Sequence, residues 1–449
     1  MEIISQAYAP IPRILKRFWK RQGEGRLMKY CIQQPTEDGV LLFNLLTREL
    51  VLLTWEEYAN PAAVDALWER WFVVPVDTNE KELVDFARLV LGLQEKKKKP
   101  VTNYTIYTTT DCNARCYYCF QKGIARIVMS HETARQTVEY IKSHCGGKKV
   151  KLHWFGGEPL LNTAVIDLIC DGLDQAGVEF ESYLVSNGYL LTDELVRRAV
   201  ECWKIRCVQI TLDGTEKIYN RSKAYIYPEG NPYQVVLANL ERLQKASVPF
   251  MVRLNVDLHN AENLMNLVDE LGARYSGKKG VTIYASHLFR EGQSLAELHT
   301  PEGWAKREEA MIRLENCIAR WGMAVRRGIQ KALLTYNCRA DSGSMVTITP
   351  GGDIGTCDRY SDRDFIGHVS RQEFDPEMWK AWQEKLPPFP ECPDCVHYPD
   401  CLRLKKCPGH QCFPQKRDML LRDKQRRMVS EYQCWKNQED IEEQMELDD

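Results

Sequence analysis

From Tyr104 onward the chain alternates short runs of β-branched and aromatic residues with longer amphipathic stretches, the pattern of parallel βα units. Six strands are expected, at Tyr104–Thr110, Lys149–Phe155, Phe180–Ser186, Cys207–Leu212, Phe250–Val256 and Val281–Ser286. Helical patterns lie between them, among them Ser130–His144 with Ser130 as its N-cap. The fold class expected is therefore α/β, with a partial (β/α)6 TIM-type barrel over residues 100–300. Its functional groups belong at the C-terminal ends of the strands, where the loops converge.

The flanking patterns differ. Gly39–Phe43 and Arg48–Leu53 read as two short apolar strands around Asn44–Thr47, followed by helical stretches and the apolar run Trp71–Val76. Hairpin, helices and strand suggest a winged-helix-like domain over residues 1–95, closed by a lysine-rich linker at Glu95–Pro100. After the barrel, an amphipathic stretch runs from Thr300, with Pro301 at the first helical position, to Gly328 as its stop signal. This is a bridging helix within residues 301–335. Periodicity then weakens across a cysteine-rich domain at 336–435, and the acidic end at 436–449 reads as a disordered tail.

Composition narrows the picture. The 449 residues suit about three domains, and 44% hydrophobic with 27% charged residues is an ordinary globular mix. A formal net charge of −2 gives no general attraction to nucleic acid or an anionic membrane. No apolar run is long enough to span a bilayer, and prolines and charges occupy the N-terminus where a signal peptide needs apolar residues. A cytoplasmic location follows as the expectation. Seventeen cysteines are then the anomaly, because a large chain in a reducing compartment has little use for disulfides. Thiolates at this density suggest metal.

Directly after the first barrel strand, DCNARCYYCF places Cys112, Cys116 and Cys119 in a C-x3-C-x2-C array. Three thiolates are one short of the four that normally fill a [4Fe–4S] cluster, which leaves one iron open. A zinc site is the rival, although structural zinc prefers four ligands in two pairs. On this array the sequence resembles the radical S-adenosylmethionine superfamily. The resemblance extends to FGGEP at the end of the second strand, where Gly156, Gly157 and Glu158 match the motif that receives the methionine amino group. It implies that Ser186 and Asn187, in VSNG, contact the ribose or carboxylate of the cofactor. Tyr118 matches the aromatic position near the adenine, and Arg253 stands where it could pair with the methionine carboxylate. Taken singly, each has a plain alternative: a turn, core packing or a structural arginine.

The C-terminal cysteines resemble the SPASM domain of the same superfamily, which holds two auxiliary [4Fe–4S] clusters. Cys338 is followed by Gly352-x4-Cys357, then Cys392-x2-Cys395-x5-Cys401, Cys407, Cys412 and Cys434. The resemblance implies Cys338, Cys357 and Cys407 on an inner cluster and Cys392, Cys395, Cys401 and Cys434 on an outer one. The spacing after Cys401 departs from the family, so Cys412 floats as a fourth ligand. A zinc ribbon is the alternative here. Cys31, Cys145, Cys170, Cys202, Cys207 and Cys317 are left over and read mostly as core residues.

The cofactors implied are S-adenosyl-L-methionine and three [4Fe–4S] clusters, one catalytic and two auxiliary. The cofactor would be split to a 5′-deoxyadenosyl radical that abstracts hydrogen from the substrate. Asp358, beside Cys357, matches the aspartate that sulfatase-maturing relatives use as a base; its plain alternative is a turn cap. Three functions compete. The preferred one is a peptide maturase that installs a crosslink in a ribosomally made precursor, with the N-terminal domain resembling the leader-recognition domain of such enzymes and a flavodoxin or ferredoxin as reductant. The second is a sulfatase-type maturase oxidising cysteine to formylglycine. The third is a noncatalytic iron–sulfur or zinc scaffold.

Overall fold

The computed structural model describes residues 1–6, 11–18, 23–95, 100–257, 260–288, 301–325, 327–336, 338–358, 364–407 and 412–447. It divides into two compact units, one formed by Met1–Lys98, Arg326–Cys338 and Gln383–Asp449, the other by Lys99–Val325 and Arg339–Trp382.

In the first unit, β1 (Glu2–Ser5), β3 (Cys31–Pro35), β4 (Val40–Asn44) and β5 (Leu50–Leu53) form an antiparallel sheet in the order β1-β5-β4-β3, while β2 (Gly25–Leu27) pairs with β6 (Val73–Pro75). The expected hairpin is β4–β5. Its turn is held by Asn44, whose Oδ1 accepts from the N–H groups of Leu46 and Thr47 at 2.9 and 3.1 Å, an Asx-type turn. The apolar faces of these strands share one core with Ile329, Leu333, Tyr398, Met428 and Tyr432 from far along the chain. Residues 1–98 thus sit in one unit with the segment that carries Cys392 to Cys434. Tyr30 donates to the Pro393 carbonyl at 2.8 Å, and Arg88 donates to the carbonyls of Tyr398 and Cys401 at 2.6 and 3.2 Å. A helix, Pro414–Leu447, closes the unit; the acidic segment expected to be disordered continues it as far as Leu447. Periodicity concealed this helix because its charged residues outnumber the few buried ones.

Arg48 is 1% exposed and pairs with Asp400, which also takes Lys424. Burial alone would push the Asp400 carboxyl up, but Arg48 and Lys424 outweigh it and hold it well below the usual carboxylate range. A depressed folded-state value means the stabilisation is present above the unfolded carboxylate range and is lost as pH falls through it. Asp400→Asn leaves Arg48 buried without a counter-charge, so a loss of about 3 kcal/mol is expected. Denaturant melts at pH 7 and pH 3 check this: the gap between the variant and the parent should narrow at the lower pH.

The second unit contains the barrel. Strands β7 (Asn103–Thr109), β8 (Val150–Gly156), β9 (Phe180–Ser186), β10 (Ile205–Leu212), β11 (Phe250–Val256) and β12 (Val281–His287) are parallel neighbours in sequence order. Helices such as His131–His144, with Ser130 Oγ accepting from the Thr133 N–H at 3.0 Å, return the chain between them. The α/β partial barrel and its six strands agree with the hydrophobic pattern. Two features were not legible. The helix after the barrel ends at Arg320 rather than near Gly328, because Gly322 takes φ +66° and Met323 donates back to the Ile318 carbonyl. Met323 then accepts from the Ile283 N–H at 2.8 Å, so this segment lies along β12 instead of leaving the barrel. At the other edge β13 (Met345–Ile348) joins β7 in parallel, with Val346 opposite Tyr104. It is followed by β14 (Asp353–Gly355), β15 (Gly367–His368) and β16 (Glu373–Phe374). No helix among the described residues is long and apolar enough to cross a membrane.

Candidate functional site

The C-terminal ends of β7 to β11 surround a cavity of about 790 Å3, lined by Cys112, Cys116, Cys119, Tyr118, Gly156, Gly157, Ser186, Asn187 and Arg253, with Asp358 on the same wall. Six of the seven residues expected to bind the cofactor therefore meet the cysteine loop at one place, while the seventh, Glu158, is buried behind the lining. Register explains why: in a parallel sheet every strand ends at the same rim, so residues terminating separate strands become neighbours.

Gly156 and Gly157 let β8 approach the start of the cysteine loop. A Cβ on Gly157 would lie 2.0 Å from the Asp111 carbonyl oxygen, and Gly156 has φ +125° with its Cβ position 2.2 Å from the Thr109 carbonyl oxygen. The close approach is to this chain's own backbone, sealed by Gly157 N–H to Thr109 O and Glu158 N–H to Asp111 O, both 2.9 Å. Glu158 itself is fully buried. Its carboxylate accepts from Ser186 Oγ at 2.9 Å, the Asn187 N–H at 2.8 Å and the Leu160 N–H at 3.1 Å. Burial nonetheless pushes it up to about 7, against those donors. Asn187 Nδ2 donates to Asn113 Oδ1 at 2.6 Å, which joins the third strand end to the cysteine loop.

Burial raises the Cys112 thiol to about 12, with Glu158 adding to the rise. Cys116 is raised by burial too, but the ammonium of Lys223 opposes that rise. Tyr118 turns its hydroxyl inward, donating to Asp213 Oδ2 at 2.6 Å and accepting from Lys223 Nζ at 3.0 Å. Arg253 donates to Asn255 Oδ1 at 3.0 Å and Ser286 Oγ at 3.2 Å, and has no carboxylate partner among the described residues. Asp358 reaches the cavity through the strand pair β13–β14: Tyr107 Oη donates to its carbonyl at 2.5 Å. Asp213 and Lys223 escaped the sequence reading; the one available signal was the Asp-Gly that ends the fourth strand in TLDG.

The C-terminal cysteines divide between the units. Cys357 belongs to the barrel unit, whereas Cys338, Cys392, Cys395, Cys401, Cys407, Cys412 and Cys434 fall in the first. Burial raises the Cys401 thiol, and the neighbouring sulfurs of Cys392, Cys412 and Cys395 add to it. Burial pulls the Lys416 ammonium down, with the sulfurs of Cys412, Cys401 and Cys407 opposing that fall. Cys434 is exposed on the helix Pro414–Leu447, whose Met428 and Tyr432 are the buried positions. Of the leftover cysteines, Cys31, Cys145, Cys170 and Cys317 are buried, while Cys202 and Cys207 are partly so.

Three thiols lining one cavity suit a cluster, in which each iron takes one thiolate, better than a single ion. Among the described residues no three His, Cys, Asp or Glu side chains converge to hold one metal ion. A parallel barrel with a three-cysteine loop and a buried carboxylate at its strand ends is the class of site that works with S-adenosylmethionine and an iron–sulfur cluster. Residues 106–271 match the family model described as the radical SAM superfamily, so that part of the chain carries a radical SAM domain. The chain is similar to the AdoMet-dependent heme synthase of Methanosarcina barkeri, 28% identical over 170 residues, which are 37% of this chain and 46% of that protein. The match thus spans about half of that relative's length. Among solved structures it is similar to anSMEcpe with bound AdoMet, with a TM-score of 0.56 and 16% identity, covering 74% of this chain and 98% of that one. It is also similar to Streptococcus suis SuiB bound to S-adenosylmethionine, with a TM-score of 0.52 and 14% identity, covering 84% of this chain and 94% of the other. Structures exist of anSMEcpe with the Cp18Cys peptide and of SuiB with the precursor peptide SuiA. At these identities the likeness is one of fold.

Proposed function

We propose that this protein is a radical S-adenosylmethionine maturase that modifies a ribosomally made precursor peptide. The observation that carries the reading is the meeting of Cys112, Cys116, Cys119, the Ser186–Asn187 rim and Asp358 around one cavity, in a chain that adds an N-terminal sheet to the barrel. Cys112, Cys116 and Cys119 would hold a [4Fe–4S] cluster that, with S-adenosylmethionine on its open iron, supplies the hydrogen-abstracting 5′-deoxyadenosyl radical. The remaining work belongs to the chain. Glu158, fully buried behind the rim, accepts from Ser186, Asn187 and Leu160 and so braces the Gly156–Gly157 turn that would receive the methionine ammonium. Arg253 supplies a cation for the carboxylate, Tyr118 lines the wall by the adenine, and Ser186 and Asn187 hold the rim.

In the first unit, Cys392, Cys395, Cys401 and Cys434 remain the proposed outer set, with Cys412, exposed like Cys401 and Cys434, as the floating candidate. With the second auxiliary cluster expected from the sequence, the proposed cluster count is three. A leader peptide would be received as an added strand at an edge of the sheet β1-β5-β4-β3. A flavodoxin or ferredoxin is the proposed electron donor, and the cytoplasm the proposed location.

The reading is tested by incubating the reconstituted enzyme with S-adenosylmethionine, dithionite and short peptides encoded beside its gene. A peptide that loses two hydrogen atoms and keeps its sulfur supports crosslinking. Loss of the cysteine sulfur with gain of an aldehyde supports the second reading, formylglycine formation, which the placement of Asp358 favours. No 5′-deoxyadenosine with any peptide sinks both. For either product, Asp358→Asn is expected to leave cofactor cleavage measurable while lowering product by about a hundredfold, the usual scale for losing a general base. Unchanged yield by mass spectrometry would leave Asp358 as a turn residue.

A further inference from the structure

Beyond Cys119 the chain turns at Gln121–Gly123, with the Ile124 N–H donating to the Gln121 carbonyl at 3.1 Å, and then runs back alongside the end of β7. The Thr110 N–H donates to the Ile127 carbonyl and the Met129 N–H to the Thr108 carbonyl, both at 2.9 Å, and Thr109 bridges Val128 in antiparallel fashion. Thr110 Oγ1 accepts from the Ile127 N–H and donates to the Ala125 carbonyl, both at 2.7 Å. These bonds use alternate residues: Ala125, Ile127 and Met129. In an antiparallel strand the backbone groups of the intervening residues point the other way, so Arg126 and Val128 turn their N–H and C=O groups away from β7. Among the described residues nothing hydrogen-bonds to them. The other side of β7 belongs to β8, through Gly157 N–H to Thr109 O at 2.9 Å. The free edge therefore lies on the side that β13 joins, from which Asp358 reaches the cavity.

Proteins normally cover such an edge, bulge it or guard it with charge, because it pairs readily with another extended chain. Here Ile127 and Val128 are 44% and 61% exposed, and every residue from Ala125 to Val128 is open to solvent. The single charge on the edge, Arg126, leans toward Asp111 at 3.5 Å. One end of the edge opens into the cavity, where Ile124 and Arg126 share the lining with Arg115 and Lys122. Three cations thus gather at this part of the mouth. Asp111 answers Arg115 and Arg126, each at 3.5 Å, and Lys122 has no ion-pair partner among the described residues. One carboxylate against three cations leaves the mouth short of negative charge.

We propose that the edge Ala125–Val128 receives the segment of the peptide substrate next to the modified residue as an added strand, with an acidic side chain of the peptide answering Arg126 and Lys122. The inference rests on the peptide reading given above and names where that peptide binds. Strand addition works through backbone groups, so it fixes the line of the peptide whatever its side chains are. A peptide laid along this edge continues past Ile124 into the cavity, which delivers the next residues to the rim that holds the cysteine loop and Asp358. Selectivity then falls to the cations at the mouth, which favour a peptide carrying a carboxylate beside the modified residue.

The test uses the full chain with its iron reconstituted and, as probe, the peptide that the assay above shows to be modified. Val128→Pro removes one outward N–H and no bond to β7, a change that an edge position tolerates. It is expected to raise KM for the peptide about fivefold, the scale of one backbone hydrogen bond, with the effect on KM rather than kcat. Val128→Thr, which keeps the N–H, should restore the parent KM. Arg126→Glu is expected to raise KM about tenfold at low salt and less at high salt, where exposed charges are screened. A second arm leaves the protein untouched and places an N-methyl group on successive residues of the peptide. Strand addition predicts that every second methyl raises KM and that those between do not, a period that side-chain docking does not produce. That alternation supports the proposal, and its absence with a peptide that is still modified overturns the proposal alone. A parent KM in both Val128→Pro and Arg126→Glu overturns it too, as does a dimer of the parent that Val128→Pro dissolves, since the edge would then pair with a second copy of this chain. If no peptide is modified at all, the peptide reading falls and this inference with it.

Discussion

Replacing Cys112, Cys116 and Cys119 together by alanine is expected to remove about four irons of a total near twelve per chain and to abolish 5′-deoxyadenosine formation. The cysteines of the first unit should keep their iron, because that unit has a hydrophobic core separate from the barrel's. The barrel should also keep its fold. The loop is fastened by backbone bonds from Arg115, Gly157, Glu158 and Ile226, none of which needs a cysteine side chain. Iron analysis with circular dichroism reads both arms, and chromatography of the nucleoside product reads the activity. A triple variant that still cleaves S-adenosylmethionine at the parent rate would show that the catalytic cluster lies elsewhere.

Deleting residues 1–95 is expected to have the largest structural effect, and it falls on the other end of the chain. If those residues formed a free-standing domain, a chain starting near Lys96 would retain every cluster. They instead supply the strands against which Tyr398, Met428 and Tyr432 are buried, and the partners Tyr30, Arg48 and Arg88 that hold residues 393 to 401. Exposing several large core residues at about 2–5 kcal/mol each exceeds the whole stability of an ordinary domain, roughly 5–15 kcal/mol. The truncated protein should therefore lose the iron assigned to Cys392, Cys395, Cys401 and Cys434 while its barrel core and the Cys112–Cys119 loop persist. Limited proteolysis should cut it first beyond Gln383. Full auxiliary iron in the truncated protein would mean that the C-terminal segment folds alone. Leader binding is accordingly better probed by substitutions along a sheet edge than by deletion.

Much of this molecule was written in local pattern. The barrel strands were legible because parallel strands buried on both faces read as short apolar runs, and β9 and β11 fall on their expected bounds at Phe180–Ser186 and Phe250–Val256. The cysteine loop was legible because its three ligands lie within eight residues, so spacing alone carries the chemistry. Features that depend on long-range pairing were not legible. The addition of β13 to β7, which carries Asp358 to the rim, joins residues some 240 apart, as the Val346–Tyr104 register shows. The buried Lys223–Asp213 pair reads in sequence as two ordinary surface charges, since burial is a property of the packed fold. The union of residues 1–98 with 383–449 in one core was equally hidden, because periodicity tells which face of a strand is apolar but not which distant segment covers it. Sequence by itself thus determined the elements and the chemistry that neighbouring residues spell out, while the tertiary structure alone decided which charges are desolvated and which distant side chains share a cavity.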